Sequence, residues 1–373
     1  MRKDLVALCT HHCRPRAILF SAYLNSETLL PFQLSRARTR HHLAACTILS
    51  AAVALATSAL LLASSSSRQA PSSGDAQKTP SWAYVLNPGT APAKDDQTPR
   101  HVPNSSASFT FAQTQDYFHV ADWHPGLHPV MPSIVSTGRK PDVYACAFCH
   151  LPNGQGKPEN SSLAGLPVQY IVNQMTDFKS GARKSSEPKH LPVAKMIANV
   201  AVSAADGEIQ SAARYFSAIQ PKRWIRVVET RTVPKTHADH FMLVAASDAA
   251  REPIGHRIIE MAEDRERTEL RDDASSFVAY VPAGSLSLGK ALVTTGSSGR
   301  TVACRLCHGS NLRGNQDIPS IVGRSPSYIF RQLYDMQSGS RHGPLAVQMK
   351  PVVYRLTEED MIDIAAYLAS LEP

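Results

Sequence analysis

Cys146-Ala-Phe-Cys149-His150 and Cys304-Arg-Leu-Cys307-His308 decide how this chain is read. In each, two thiols sit one helical turn apart and a histidine follows directly. That spacing is the attachment signature of a c-type haem. Both sulfurs can bond the ring's vinyl groups, and the histidine is carried beneath the ring, where its imidazole can ligate iron.

The two motifs lie 158 residues apart, and the same offset relates the sequence around them. Val135-Ser-Thr-Gly138 returns as Val293-Thr-Thr-Gly296. Tyr170, Ile171, Gln174, Asp177 and Ser180-Gly181-Ala-Arg183 return as Tyr328, Ile329, Gln332, Asp335 and Ser338-Gly339-Ser-Arg341. A gap-free match over about 50 residues identifies a duplicated unit. Each copy closes on an amphipathic helix. Thr357-Glu-Glu-Asp360 resembles a capping box and leads into Met361, Ile364, Ala365, Leu368 and Leu371 on one face. In the first copy Ser203-Ala-Ala-Asp206 leads into Ile209, Ala212, Ala213, Phe216 and Ile219.

Four of the seven cysteines belong to the motifs; Cys9, Cys13 and Cys46 all precede residue 50, so the thiol chemistry of the body is that of the motifs. The formal charge of +8 is concentrated at the front. Residues 1–80 hold nine Lys/Arg against three acidic groups, leaving only +2 for the rest. That distribution argues for membrane targeting and against a nucleic-acid surface. Residues 43–63 are uncharged, rich in alanine and leucine, and preceded by Arg36, Arg38 and Arg40. They are long enough to span a bilayer, with the body outside the cytoplasm. A cleaved signal segment is the alternative, since Leu62-Ala63-Ser64-Ser65 suits a peptidase. Both deliver the body to the same compartment.

The expected organisation is a basic cytoplasmic leader (1–42), an anchor or signal segment (43–63), a flexible Ser- and Pro-rich linker (64–116), a first helical domain (117–221), a β-rich insert (222–284) and a second helical domain (285–373). The insert is expected from Trp224-Ile-Arg-Val-Val-Glu-Thr, Phe241-Met-Leu-Val244 and Phe277-Val-Ala-Tyr-Val-Pro282, which are β-branched and aromatic runs.

A Cys-x-x-Cys-His segment also occurs as half of a zinc site, but zinc requires four ligands and neither copy offers a second cysteine pair nearby. Cys9-Thr-His-His-Cys13 has a ligand-like pattern but lies in the leader. His124 and His128, flanked by proline and glycine, are weaker metal candidates. Candidates for the second axial position are Met196, 50 residues after Cys146, and Met349, 45 after Cys304, each just before a closing helix. His190 competes with Met196. Met175, Met336 and Met361 fall within helices and read as packing residues. Arg183 and Arg341 suit either the balancing of propionate charge or the end of a helix, and Tyr170 and Tyr328 suit packing near a haem edge.

Motif, Gly-x-Arg turn, methionine and closing helix together resemble the tandem-domain, di-haem cytochromes c of the bacterial periplasm, over residues 130–220 and 285–373. The resemblance implies a mainly α fold of two class I cytochrome c-type domains. It implies two covalent haem c groups on Cys146, Cys149, Cys304 and Cys307, and axial pairs of His150 with Met196 and His308 with Met349. It also implies that the backbone carbonyl of a proline holds the ligand histidine's other nitrogen. Pro319 fills that place in the second copy, whereas the first departs with Ser161. The implied function is electron relay by outer-sphere transfer between redox proteins such as a dehydrogenase, a quinol-oxidising complex or a terminal oxidase. No catalytic residue is implied. Alternatives are the cytochrome subunit of a membrane dehydrogenase and a di-haem peroxidase, the latter needing one iron able to open. The expected location is the bacterial periplasm, anchored to the inner membrane or released.

Overall fold

The computed structural model describes residues 79–89 and 97–373. The leader, its cysteines and the apolar run 43–63 lie outside the described residues. Among the described residues no helix is long and apolar enough to cross a membrane.

The first copy is built from α1 (Phe111–Thr114), α2 (Ser133–Ser136), α3 (Cys146–His150), α4 (Val168–Lys179), α5 (Leu191–Met196) and α6 (Asp206–Ser217). Its closing helix α6 starts later than its sequence suggests. Ala205 is the N-cap, and Glu208 reaches back to the Ala205 N–H at 2.8 Å, so Ser203 takes no part in capping. Ile209, Ala212, Ala213 and Phe216 turn inward to meet Ile171, Met175 and Phe178 of α4.

Between the copies come β1 (Ile225–Thr230), β2 (Thr232–Pro234), β3 (Thr236–Asp239), β4 (Met242–Ala245), β5 (Arg251–Pro253), β6 (Ile259–Ala262), α7 (Arg265–Glu269) and β7 (Phe277–Pro282). All three runs expected to be extended contribute strands. β1 and β7 pair in parallel, Ile225 opposite Phe277, and β6 adds antiparallel to β7. Two small antiparallel pairs, β2 with β5 and β3 with β4, complete the segment.

The second copy follows as α8 (Ser285–Thr295), α9 (Arg305–His308), α10 (Pro326–Ser338), α11 (Lys350–Val353) and α12 (Glu358–Ser370). The capping box of α12 is complete: Thr357 Oγ1 accepts from the Asp360 N–H and Asp360 accepts from the Thr357 N–H. α8 and α12 cross with almost no space between backbones. A Cβ on Gly289 would lie 1.9 Å from the Asp363 carbonyl oxygen. Gly289→Ala is therefore expected to destabilise the protein by about 3 kcal/mol, since a rigid backbone cannot yield to one added methyl. The denaturant midpoint measures it, and an unchanged midpoint would refute the close crossing.

The copies are not equal. Where α8 has eleven residues, the first copy has the single turn α2. Pro129 and Pro132 explain this, because proline ends any helix reaching it from the N-terminal side. The Ser- and Pro-rich segment expected to be a flexible linker is also packed where it is described. Ala83 and Tyr84 are fully buried in the second copy's core, and Trp82 meets Phe330 at 4.5 Å between ring centres. Val102 and Phe109 pack with Trp123. A few aromatics bury enough apolar surface to hold an otherwise polar segment.

Candidate haem-binding sites

Each motif forms one short helical turn, which brings its two cysteines to the same side. Burial pushes the free thiol of Cys146 up to about 12 and that of Cys304 up to about 11. Among the described residues, neither motif belongs to a group of three or more ligating side chains.

The histidines carry the more specific information. His150 Nδ1 lies 2.9 Å from the Ser161 carbonyl oxygen, and His308 Nδ1 lies 2.9 Å from the Pro319 carbonyl oxygen. A carbonyl only accepts, so in both rings Nδ1 carries the proton and Nε2 keeps its lone pair. Burial opposes charging: His150 is lowered to about 4, and His308 is lowered for the same reason. Each ring is thus neutral, oriented and ready to ligate through Nε2. The serine in the first copy makes the contact as well as the proline does, since only the backbone is used.

Beside His150 an apolar cavity opens, lined by Ile134, Cys146, Cys149, Ile171, Met175 and Met196. Met196 ends α5 and runs directly into a π-turn, Ile197–Ala201. Met349 ends a 3-10 turn, Ala346–Met349, that continues into α11. It packs against the apolar cluster that holds Cys304, Leu312 and Phe330. A flat apolar ring held by two thioethers would suit these surroundings. His190 is buried and lowered to about 3 by desolvation, and it lines a second, larger cavity together with Met196, Tyr328, Arg331 and Asp335. Its Nδ1 has no hydrogen-bond partner.

The repeated Tyr, Gln and Arg make a contact between the copies. Arg183 Nη1 donates to Gln174 Oε1, and its Nη2 donates to Tyr328 Oη and Gln332 Oε1, at 2.9, 3.1 and 3.0 Å. Arg341 reciprocates toward Gln332, Tyr170 and Gln174 at 3.0, 3.1 and 2.8 Å. Backbone bonds from Lys184 to Ser340 and from His342 to Ala182, both 2.8 Å, complete a pseudo-two-fold clamp. The sequence reading assigned these arginines to propionates or helix ends. The structure gives them partners in the opposite copy, because the turns after α4 and α10 lie side by side.

One asymmetry was not legible. Phe148 is 5% exposed, whereas Leu306, its counterpart in the repeat, is 72% exposed. Phe148 packs on Tyr117 at 4.3 Å, and the Arg271 guanidinium lies 3.6 Å from its ring centre and donates to its carbonyl. Arg271 comes from the segment between the copies, 123 residues away, so no local pattern announces the contact. In the second copy Val302, Leu306, Ile318, Leu345, Val347 and Tyr354 are exposed, as is Cys307.

A pair of cysteines, a tautomer-fixed histidine and an apolar cleft define a protein that binds haem covalently. The family model for cytochrome c matches residues 286–372. Over 70 residues the chain is 37% identical to cytochrome c-554(548) of Halomonas halodenitrificans, covering 18% of this chain and 84% of that protein. The chain belongs to the cytochrome c family, and such a domain carries a covalently bound haem c. A thiosulfate dehydrogenase electron acceptor of Thiomonas intermedia is 24% identical over 62% of this chain and 80% of its own length. A solved thiosulfate dehydrogenase (TsdBA) from Marichromatium purpuratum is 25% identical with a TM-score of 0.40, over 62% of this chain and 37% of that one.

Proposed function

We propose that this chain is a di-haem electron relay that works outside the bacterial cytoplasm, with His150 and Met196 as one axial pair and His308 and Met349 as the other. The observation carrying this is the duplicated anchor: both motif histidines are held by Nδ1 on a carbonyl at 2.9 Å, with a methionine at the matching place in each copy. Bound haem supplies a reversible one-electron couple. The protein fixes the ligands, excludes water with apolar walls and sets the distance between sites. With two protein ligands per iron no position is left for a substrate, so the reading is a carrier and not an enzyme. Export through residues 43–63, cleaved or retained, belongs to the same reading.

The exposed side of the second copy is the exchange port. Its apolar surface is accompanied by exposed Arg305, Arg313, Lys350 and Arg355, against Asp317 and Glu359. A redox protein with an acidic rim around its own cofactor edge suits it, and a dehydrogenase is the favoured donor, given the relative named as an electron acceptor. The first site is roofed and exchanges through the clamp, since its cavity reaches Tyr328 and Gln332 of the other copy. Haem quantification on the purified protein tests the relay, with two per chain expected and one overturning it. Arg305→Glu with Lys350→Glu is expected to slow reduction by an acidic partner about tenfold at low salt. The effect should fade as salt is raised, and a rate insensitive to both would remove the port.

A further inference from the structure

His124, Asp272 and Asp273 meet in the interior beside the first copy. Their side chains are 5%, 0% and 3% exposed. His124 Nε2 lies 2.9 Å from Asp272 Oδ1 and 3.9 Å from Asp273 Oδ1, and all three ligand atoms fall within 4.8 Å of one another. Asp272 has other partners, accepting from the Ala274 N–H and from Arg267 Nε at 2.8 and 2.7 Å. Asp273 has none: both of its carboxylate oxygens are buried without a hydrogen bond.

No placement of protons repairs this. A doubly protonated His124 is too far from Asp273 to donate to it. A protonated Asp273 gains a hydroxyl with nothing to receive it and still leaves one oxygen bare. A buried carboxylate in that condition calls for a cation.

We propose that His124, Asp272 and Asp273 bind one divalent transition-metal ion, with zinc the best match. One imidazole and two carboxylates form a mixed nitrogen and oxygen set, which suits zinc over calcium or magnesium, whose sites are built from oxygen. Tetrahedral zinc bonds of about 2.0–2.1 Å place ligand atoms roughly 3.3 Å apart. The observed 2.9 and 3.9 Å lie on either side of that separation, so small shifts complete the site.

The site would hold the roof of the first motif. Arg271, next to Asp272, has its backbone in the left-handed region at φ 58° and holds its guanidinium over Phe148. The Trp123 indole N–H donates to the Leu270 carbonyl at 2.8 Å, beside the His124–Asp272 contact that joins the same two segments. The ion would replace that contact with a bridge to both aspartates, fixing the turn that carries Arg271.

The test uses the full-length, haem-loaded protein, in which the motif thiols are consumed, equilibrated with zinc and then desalted. Elemental analysis is expected to find one more zinc per chain in the native protein than in Asp273→Asn. The leader's Cys9, His11, His12 and Cys13 are common to both and cancel. Chelation is expected to lower the native Tm by about 5 °C and leave the Tm of Asp273→Asn unchanged. Should that variant fail to fold, His124→Gln takes its place. Equal zinc content, or a native Tm indifferent to chelator, overturns the site. Haem content is read separately, so failure here is distinct from failure of the relay.

Discussion

Replacing Met349 with histidine is expected to lower the midpoint potential of one centre by on the order of 100 mV and leave the other in place. Axial ligands command a span of about 0.8 V, and a thioether favours reduced iron over a second imidazole. The fixed tautomer of His308 means that only one side of the ring changes in this experiment. Met196→His makes the complementary change at the first site. A spectroelectrochemical titration resolves the two couples, and potentials that ignore both substitutions would end the ligand assignment. His190 enters the same experiment as a control. It lines the larger cavity together with Met196 but does not line the apolar cavity beside Cys146 and Cys149, which Met196 also reaches. His190→Ala is therefore expected to keep the methionine–iron absorption of the first site, and its loss would make His190 the ligand.

The second large effect concerns the clamp. Arg183 and Arg341 are 9% and 6% exposed, and each donates to a tyrosine hydroxyl and to both glutamines. Changing both to alanine strands Tyr170, Tyr328, Gln174 and Gln332 in a closed interface. Buried polar groups left unpaired cost about 1–3 kcal/mol each, so the double variant is expected to lose about 4 kcal/mol after some rearrangement. The single variants should not add up to the double, because the arginines share acceptors. Denaturant unfolding of all four proteins measures the coupling, and strict additivity would mean that the two sides act separately.

The parts legible in the sequence are those whose chemistry is local. Cys-x-x-Cys-His spacing, the constant offset and the capping box at Thr357 each specify their own geometry within a few residues. The carbonyl anchor came from the family resemblance, and it lies eleven residues from its histidine in both copies, at Ser161 as well as at Pro319. What failed was non-local or overridden by packing. The polar stretch before residue 90 reads as a tether, yet Trp82 and Tyr84 dock it onto the second copy. The long helix α8 has no equal in the first copy, where Pro129 and Pro132 leave one turn. Ser203 looks like a cap, and Glu208 does the capping instead. The roof over Phe148 depends on Arg271, whose position only the folded segment between the copies determines.

The reciprocal bonds of Arg183 and Arg341 carry a consequence for how such a chain arises. Each copy supplies both the lock and the key, and the rotation relating the copies exchanges them. A surface of that kind closes equally well between two identical chains. A one-site ancestor could pair with itself through it, and tandem fusion would then have preserved a contact already in use.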